Sequence, residues 1–449
     1  MNFIADKQTL DDLGILNKYR PDSVFTLFNQ TKTSGGKKLL EEMFRNLLAD
    51  EKEINLRSSI FNYFQKQALD FPFNKEQLEL MESYLGAGVK RSFPATLLDI
   101  FRKKLISSFV GDKSYAAVKS GIYTTIEILS LLKQFLGKMD VQDMENPYAR
   151  PLKEMKSILG NEKLESICRE VGLKKDSVVA LAKCDHLLRS VLFAEIRTLV
   201  TTIYQLDVYI AVSNVASAKC FSYASAVSRT SRIFQASDLR HPCLKSAVGN
   251  TVSLSEKSNL IFLTGANMAG KSTIMKSFGI AVYLAHMGFP VAAKEMLFSV
   301  KDGLYSSINV PDNLQLGYSH FYAEVLRVRD VAVSVAGKKD LIIIFDELFK
   351  GTNVKDAYDA TLAVTKAFSE YRNCFFIIST HIVEVGEALQ QECGNMQFLY
   401  MPTVMEGSIP RYTYRITKGI SADRHGMTII KNEGILDMIL SKKPTVLSS

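Results

Sequence analysis

The residues Gly265-Ala-Asn-Met-Ala-Gly270-Lys271-Ser272 have the types and spacing of a loop that holds phosphate. Its glycines allow a tight turn, so that successive backbone N–H groups face an anion. Lys271 then reaches the β- and γ-phosphates of a nucleotide, and Ser272 ligates Mg²⁺. The apolar run Leu260–Leu263 precedes the loop, and a helix is expected to open at Thr273. The positive end of that helix dipole favours the same anion.

Three further segments supply groups for hydrolysis. The run Leu341-Ile-Ile-Ile-Phe345-Asp346-Glu347 reads as a buried strand delivering two carboxylates to its C-terminal end, the edge at which ligands bind in open α/β sheets. Asp346 is expected to bind Mg²⁺, and Glu347 to orient or deprotonate the attacking water. His381 follows another short apolar strand, Phe375–Ile378, through Ser379 and Thr380, a position from which it meets the γ-phosphate or the water. Gly317-Tyr-Ser319-His-Phe-Tyr-Ala-Glu324 opens a helix at about Ser319; read locally, Ser319 is a helix cap.

These groups need a largely parallel sheet covered by helices, and the texture after about residue 236, with short β-rich runs alternating with helical stretches, supplies one. Residues 1–235 read instead as helix. Gly and Pro are sparse there, and Leu98, Phe101, Leu105 and Phe109 recur at helical spacing. One long helix is expected over Leu187–Val215, another over Ile122–Leu136, and a short one over Ile429–Leu440. The expected domains are therefore 1–235, an all-α core, and 236–449, an α/β domain. The six cysteines show no metal or disulfide spacing. Charged residues interrupt the apolar runs, so no membrane span is expected, and the chain reads as cytoplasmic. The net charge of +8 is compatible with a nucleic-acid partner without requiring one.

The four segments, in this order, resemble the ATPase domain of the MutS DNA mismatch-repair family. The loop matches that family's Gly-x-Asn-Met-x-Gly-Lys-Ser-Thr through Thr273, and Asn267-Met268 is a choice that generic phosphate-binding loops do not share. Asp346-Glu347-Leu-Phe-Lys-Gly351-Thr352-Asn353, Ser379-Thr380-His381 and Arg240-His241-Pro242 resemble other family segments. Asp6, Thr9, Leu13, Ile15, Gly36 and Arg57 are similar to the start of its helical core, and Leu206-Asp207-Val208 to part of its long helix. Residues 75–185 are not covered.

The resemblance implies an ABC-type P-loop ATPase domain behind a helical core or lever. Gly265, Asn267, Met268, Gly270, Lys271, Ser272 and Thr273 would bind ATP, Ser272 and Asp346 Mg²⁺, and Glu347 and His381 would be catalytic. It also implies paired ATPase domains in a homodimer, or a heterodimer with a relative, in which Ser319 acts in trans on the partner's nucleotide. DNA is the implied ligand. The resemblance begins at the helical core, so the family's mismatch-recognition and connector domains are expected to be absent, and the clamp has no room between about Leu136 and Leu187. Direct mismatch recognition is then not expected. The aromatic that stacks on adenine in the family is replaced near Ala247–Val248. A nucleotide-switched scaffold for a protein or RNA assembly remains the alternative; no acceptor pocket or lid motif supports a small-molecule kinase.

Overall fold

The computed structural model describes residues 3–16, 23–87, 92–139, 146–166, 177–266, 268–308, 320–406, 409–421 and 434–440. The chain divides into two compact units: Met1–Leu27 with Phe44–Ser58 and Ala218–Ser449, and Phe28–Met43 with Ser59–Ser217.

The first unit is built on a seven-stranded sheet. Its strands are β1 (Ile4–Ala5), β2 (Leu260–Gly265), β3 (Gly303–Ser307), β4 (Leu341–Phe345), β5 (Phe375–Ser379), β6 (Met396–Met401) and β7 (Thr417–Lys418), in the order β1-β3-β4-β5-β2-β6-β7. Every neighbouring pair is parallel except β6 and β7. Strands β4 and β5 are buried throughout, which is why they read as unbroken apolar runs: a parallel sheet covered on both faces leaves no side for polar residues.

Alternate residues feed the two faces. Phe262, Ile343, Phe345, Phe376 and Ile378 pack with Val328, Val331 and Val335 of the helix His320–Ala336, Phe368 of Val354–Ser369, and Val385 and Leu389 of Val383–Glu392. The other face meets the helix Lys271–His286, buried along nearly its whole length. Gly279 is needed there, because a Cβ would lie 2.8 Å from Leu13 Cδ2 and 3.0 Å from Ile344 Cδ1. Four further strands, Ser225–Val227, Ile233–Leu239, Asn250–Ser255 and Glu295–Ser299, form a second sheet.

The expectation that 1–235 is all helix is corrected here. Ile4–Ala5 is an edge strand of the large sheet, and strand structure begins again at Ser222–Tyr223. Strands of two or three residues are too short to show a period of two, and their partners lie far along the chain.

The second unit is helical. Phe61, Phe64, Tyr148 and Tyr209 pack ring against ring at 5.3–5.7 Å. Buried Asp207 accepts the N–H groups of Lys32 and Thr33 at 3.0 and 2.8 Å and the Thr33 hydroxyl at 2.7 Å. The helix expected over Leu187–Val215 is interrupted. A π-turn occupies Leu187–Val191, and the α-helix runs Phe193–Lys219. Arg189 in the π-turn donates to Asp185 Oδ2 at 2.6 Å and lies over the Tyr84 ring, while Tyr84 Oη donates to Asp185 Oδ1 at 2.7 Å. The side-chain cluster adds a local demand that periodicity does not register.

One more expectation needs correction. Phe193–Lys219 is long and apolar enough to cross a membrane by length and composition, although no apolar run of that length was expected; 72% of its most apolar window is buried within the protein, as a core helix requires. Leu98, Phe101, Leu105 and Phe109 lie on a helix as their spacing predicts, Phe93–Val110, and all four are exposed. Of the expected tail helix, Ile435–Leu440 is described.

Candidate active site

The C-terminal ends of β2, β5 and β4 carry the expected groups. β5 lies between the other two, so His381 emerges between the loop after β2 and the carboxylates after β4.

The loop begins at Gly265, with φ at +136°, passes Met268 at +70°, and ends at Gly270 at +104°. A Cβ on Gly265 would also lie 3.1 Å from the Met401 carbonyl oxygen, so backbone angle and close approach both call for glycine. Gly270 caps the helix that starts at Lys271, leaving Ser272 and Thr273 in its first turn, where backbone N–H groups have no partner within the helix. Lys271 Nζ donates to the carbonyls of Gly265 and Ala266 at 2.8 and 3.1 Å. Burial pulls its pKa below the ordinary lysine value, against the opposing charges of Glu347 and Asp346. Asn267 lies outside the described residues.

Ser379 ties the acidic turn to β5. Its hydroxyl donates to Asp346 Oδ1, and its Oγ accepts the Glu347 N–H at 3.0 Å. Glu347 and Phe349 have φ near +57° and +60°, a conformation that costs a non-glycine residue energy and is found where a side chain must be aimed. His381 Nε2 lies 2.5 Å from Glu347 Oε1, and Lys350 Nζ 3.9 Å from Oε2. The His381 hydrogen bond is the largest influence on Glu347; it outweighs burial, is aided by the charges of His381, Lys350 and Lys271, and leaves the pKa below the usual carboxylate value. Ser319 lies outside the described residues, so these distances do not bear on it.

Beside the loop is a cavity of about 240 Å³, lined among others by Ala247, Val248, Ile274, Met401 and Tyr414. Tyr414 was missed in the sequence. Its φ is +56°, and its segment is held by Asn250, whose Nδ2 donates to the Tyr414 carbonyl at 3.0 Å and whose Oδ1 accepts the Ile416 N–H at 2.7 Å. The Asn250 contact, spanning 164 residues, helps bring this ring to the wall that Ala247 and Val248 leave without an aromatic.

A glycine loop at a helix start, a lysine, two carboxylates and a histidine at adjoining strand ends define the class of site that handles phosphate groups. The MutS domain V family matches residues 261–449. The DNA mismatch repair protein MutS of Lactococcus lactis subsp. cremoris (strain SK11) is 26% identical over 73% of this chain and 39% of its own length. That of Thermotoga maritima is 22% identical over 99% of this chain and 65% of its own length. The Drosophila melanogaster DNA mismatch repair protein spellchecker 1 is 28% identical over 43% of this chain and 22% of its own length. The chain thus spans about two fifths of the Lactococcus relative. Residues 261–449 match a MutS family model, and nearly the whole chain is similar to the MutS protein of Thermotoga maritima.

Proposed function

We propose that this chain is a cytoplasmic MutS-type ATPase that couples binding and hydrolysis of ATP to DNA binding, in mismatch repair, recombination or related DNA maintenance. The observation that carries the reading is the convergence of Lys271, Asp346, Glu347 and His381 at adjoining strand ends. A sensor of phosphate alone has no need of a carboxylate held ionised beside the anion site.

In this reading the loop N–H groups and Lys271 bind the β- and γ-phosphates. Glu347 accepts a proton from the attacking water, and His381 orients its carboxylate. Ser272 and Asp346 are the residues that would hold Mg²⁺: one hydroxyl and one carboxylate are the hard oxygen donors this ion takes when phosphates and water complete its shell. When bound, the ion neutralises charge building on the phosphate oxygens. The cavity faced by Tyr414 receives the base. Two ATPase domains pair, and Ser319 contacts the nucleotide of the partner subunit.

ATP hydrolysis measured with and without duplex DNA tests the proposal. The expected result is Mg²⁺-dependent turnover that DNA alters and Lys271→Ala abolishes through loss of ATP binding, with the helical circular-dichroism signal kept. Wild-type ATP affinity in that variant would remove the phosphate-site assignment; turnover indifferent to DNA, with no duplex binding, would remove the DNA coupling.

A further inference from the structure

The helices Phe93–Val110 and Ser114–Gly137 of the helical unit form a hairpin that turns at Gly111, with φ at +69°. Between Phe101 and Ser120, no residue whose side chain is described is buried. The crest is nonetheless apolar: Leu98, Phe101 and Phe109 are 69%, 51% and 85% exposed, and Leu105 and Ile106 are exposed with them. Steps of three and four residues put Leu98, Phe101, Leu105 and Phe109 along one side of the helix. Thr96 and Ile100, which are buried, fall on the opposite side, and this helix packs on Val178–His186. The stripe is therefore not the core face of its helix. A large uncovered apolar surface of this kind marks a contact site.

The charge around the crest selects the partner. Residues 99–120 carry Arg102, Lys103, Lys104, Lys113 and Lys119 against Asp99 and Asp112. Lys103 closes on Asp99 at 2.8 Å, and Asp112 accepts the Ser114 N–H at 3.1 Å and its hydroxyl at 2.5 Å. Both acids are thus engaged within the hairpin, and Arg102, Lys104 and Lys113 are exposed. A second copy of this chain would bring the same positive rim to the contact, which like charge opposes. A polyanion with apolar edges between its charges suits both features. Basic side chains meet the phosphates, and apolar ones enter a groove or press between base steps.

We propose that this hairpin tip is a contact surface for double-stranded DNA, with Arg102, Lys104 and Lys113 against phosphates and Leu105 and Phe109 against the groove. The proposal rests on the DNA-binding reading above and adds where the duplex is met.

The test is fluorescence anisotropy of a labelled 30-base-pair duplex titrated with the full chain at several salt concentrations. The triple substitution Arg102→Gln/Lys104→Gln/Lys113→Gln should lower the slope of log K against log salt by about 2–3, at roughly 0.9 per phosphate contact. Phe109→Ala should weaken binding about tenfold and leave the slope unchanged, because it removes apolar contact alone. All these positions are exposed, so unfolding temperature and DNA-free ATP hydrolysis should stay at wild-type values. If the wild type binds duplex and both variants match it in affinity and slope, the tip proposal is overturned and the DNA reading stands. A wild type that binds no duplex overturns both. Unchanged duplex affinity, with Phe109→Ala converting a dimer to a monomer in sedimentation or releasing the chain from phosphatidylglycerol vesicles, assigns the crest to self-pairing or to a membrane and overturns the proposal.

Discussion

His381 Nε2 lies 2.5 Å from Glu347 Oε1, linking a residue just past β5 to one just past the neighbouring β4. The bond orients the carboxylate and is the largest cause of its lowered pKa. Glu347→Gln keeps the size of the side chain and removes its basicity. It should bind ATP normally and slow hydrolysis by about 10²–10⁴-fold, the usual worth of a positioned base. Single-turnover hydrolysis at the wild-type rate would mean that a different group handles the water.

The ring of Tyr414 gives a second prediction. Stacking on a base is worth about 1–3 kcal/mol by alanine substitution, so Tyr414→Ala should weaken ATP binding roughly ten- to hundredfold. Tyr414→Phe should restore most of it. Inorganic triphosphate, which has no base, should compete equally well in all three forms when measured by displacement of a fluorescent nucleotide. An equal loss for triphosphate would place the defect in the loop instead of the cavity.

A trans role for Ser319, as proposed, can be tested by mixing. Lys271→Ala and Ser319→Ala chains should each hydrolyse ATP poorly. In a mixed dimer one composite site takes both lesions and the other takes neither, so activity should partly return, towards about one intact site per dimer. No recovery in a dimer verified as mixed would exclude action across the interface.

His286 sets a pH dependence of stability. It is fully buried against Phe3 and Phe298. Its Nε2 accepts the Lys301 N–H at 3.1 Å, which assigns the donor role towards the Val282 carbonyl, at 2.8 Å, to Nδ1. Burial drives its pKa down to about 4. Above about pH 6.5 the imidazole is neutral in both folded and unfolded chains, and its contribution is fully present. As pH falls from there towards 4, the unfolded chain takes up a proton that the folded one refuses, and stability drops by up to about 1.4 kcal/mol per pH unit. Urea midpoints between pH 7.5 and 5 should show this decline, and His286→Gln should flatten it. Equal slopes in the two proteins would rule out His286 as its source.

Much of the site was legible because its signals are local. Gly265, Gly270 and Lys271 lie within one loop whose backbone needs dictate their types. The runs Leu341–Phe345 and Phe375–Ile378 are short and wholly apolar because both faces of a parallel sheet are covered. The helix dipole and the strand ends then give the charged residues their direction. The same local logic located the helix Phe93–Val110 from the spacing of Leu98, Phe101, Leu105 and Phe109 but carried no information on whether that face is covered, since periodicity reports a face and not what covers it.

The sequence by itself determined the glycine loop, the strands that carry Asp346, Glu347 and His381, and the resemblance to MutS proteins. Only the tertiary structure decided that Ser379 anchors the acidic turn, that Tyr414 faces the cavity beside Ala247 and Val248, and that Ile4–Ala5 completes the edge of the large sheet. Each of these depends on segments tens to hundreds of residues apart, joined by strand pairing or a single amide such as that of Asn250. A linear pattern specifies which residues an element offers, and packing between elements selects the ones that meet.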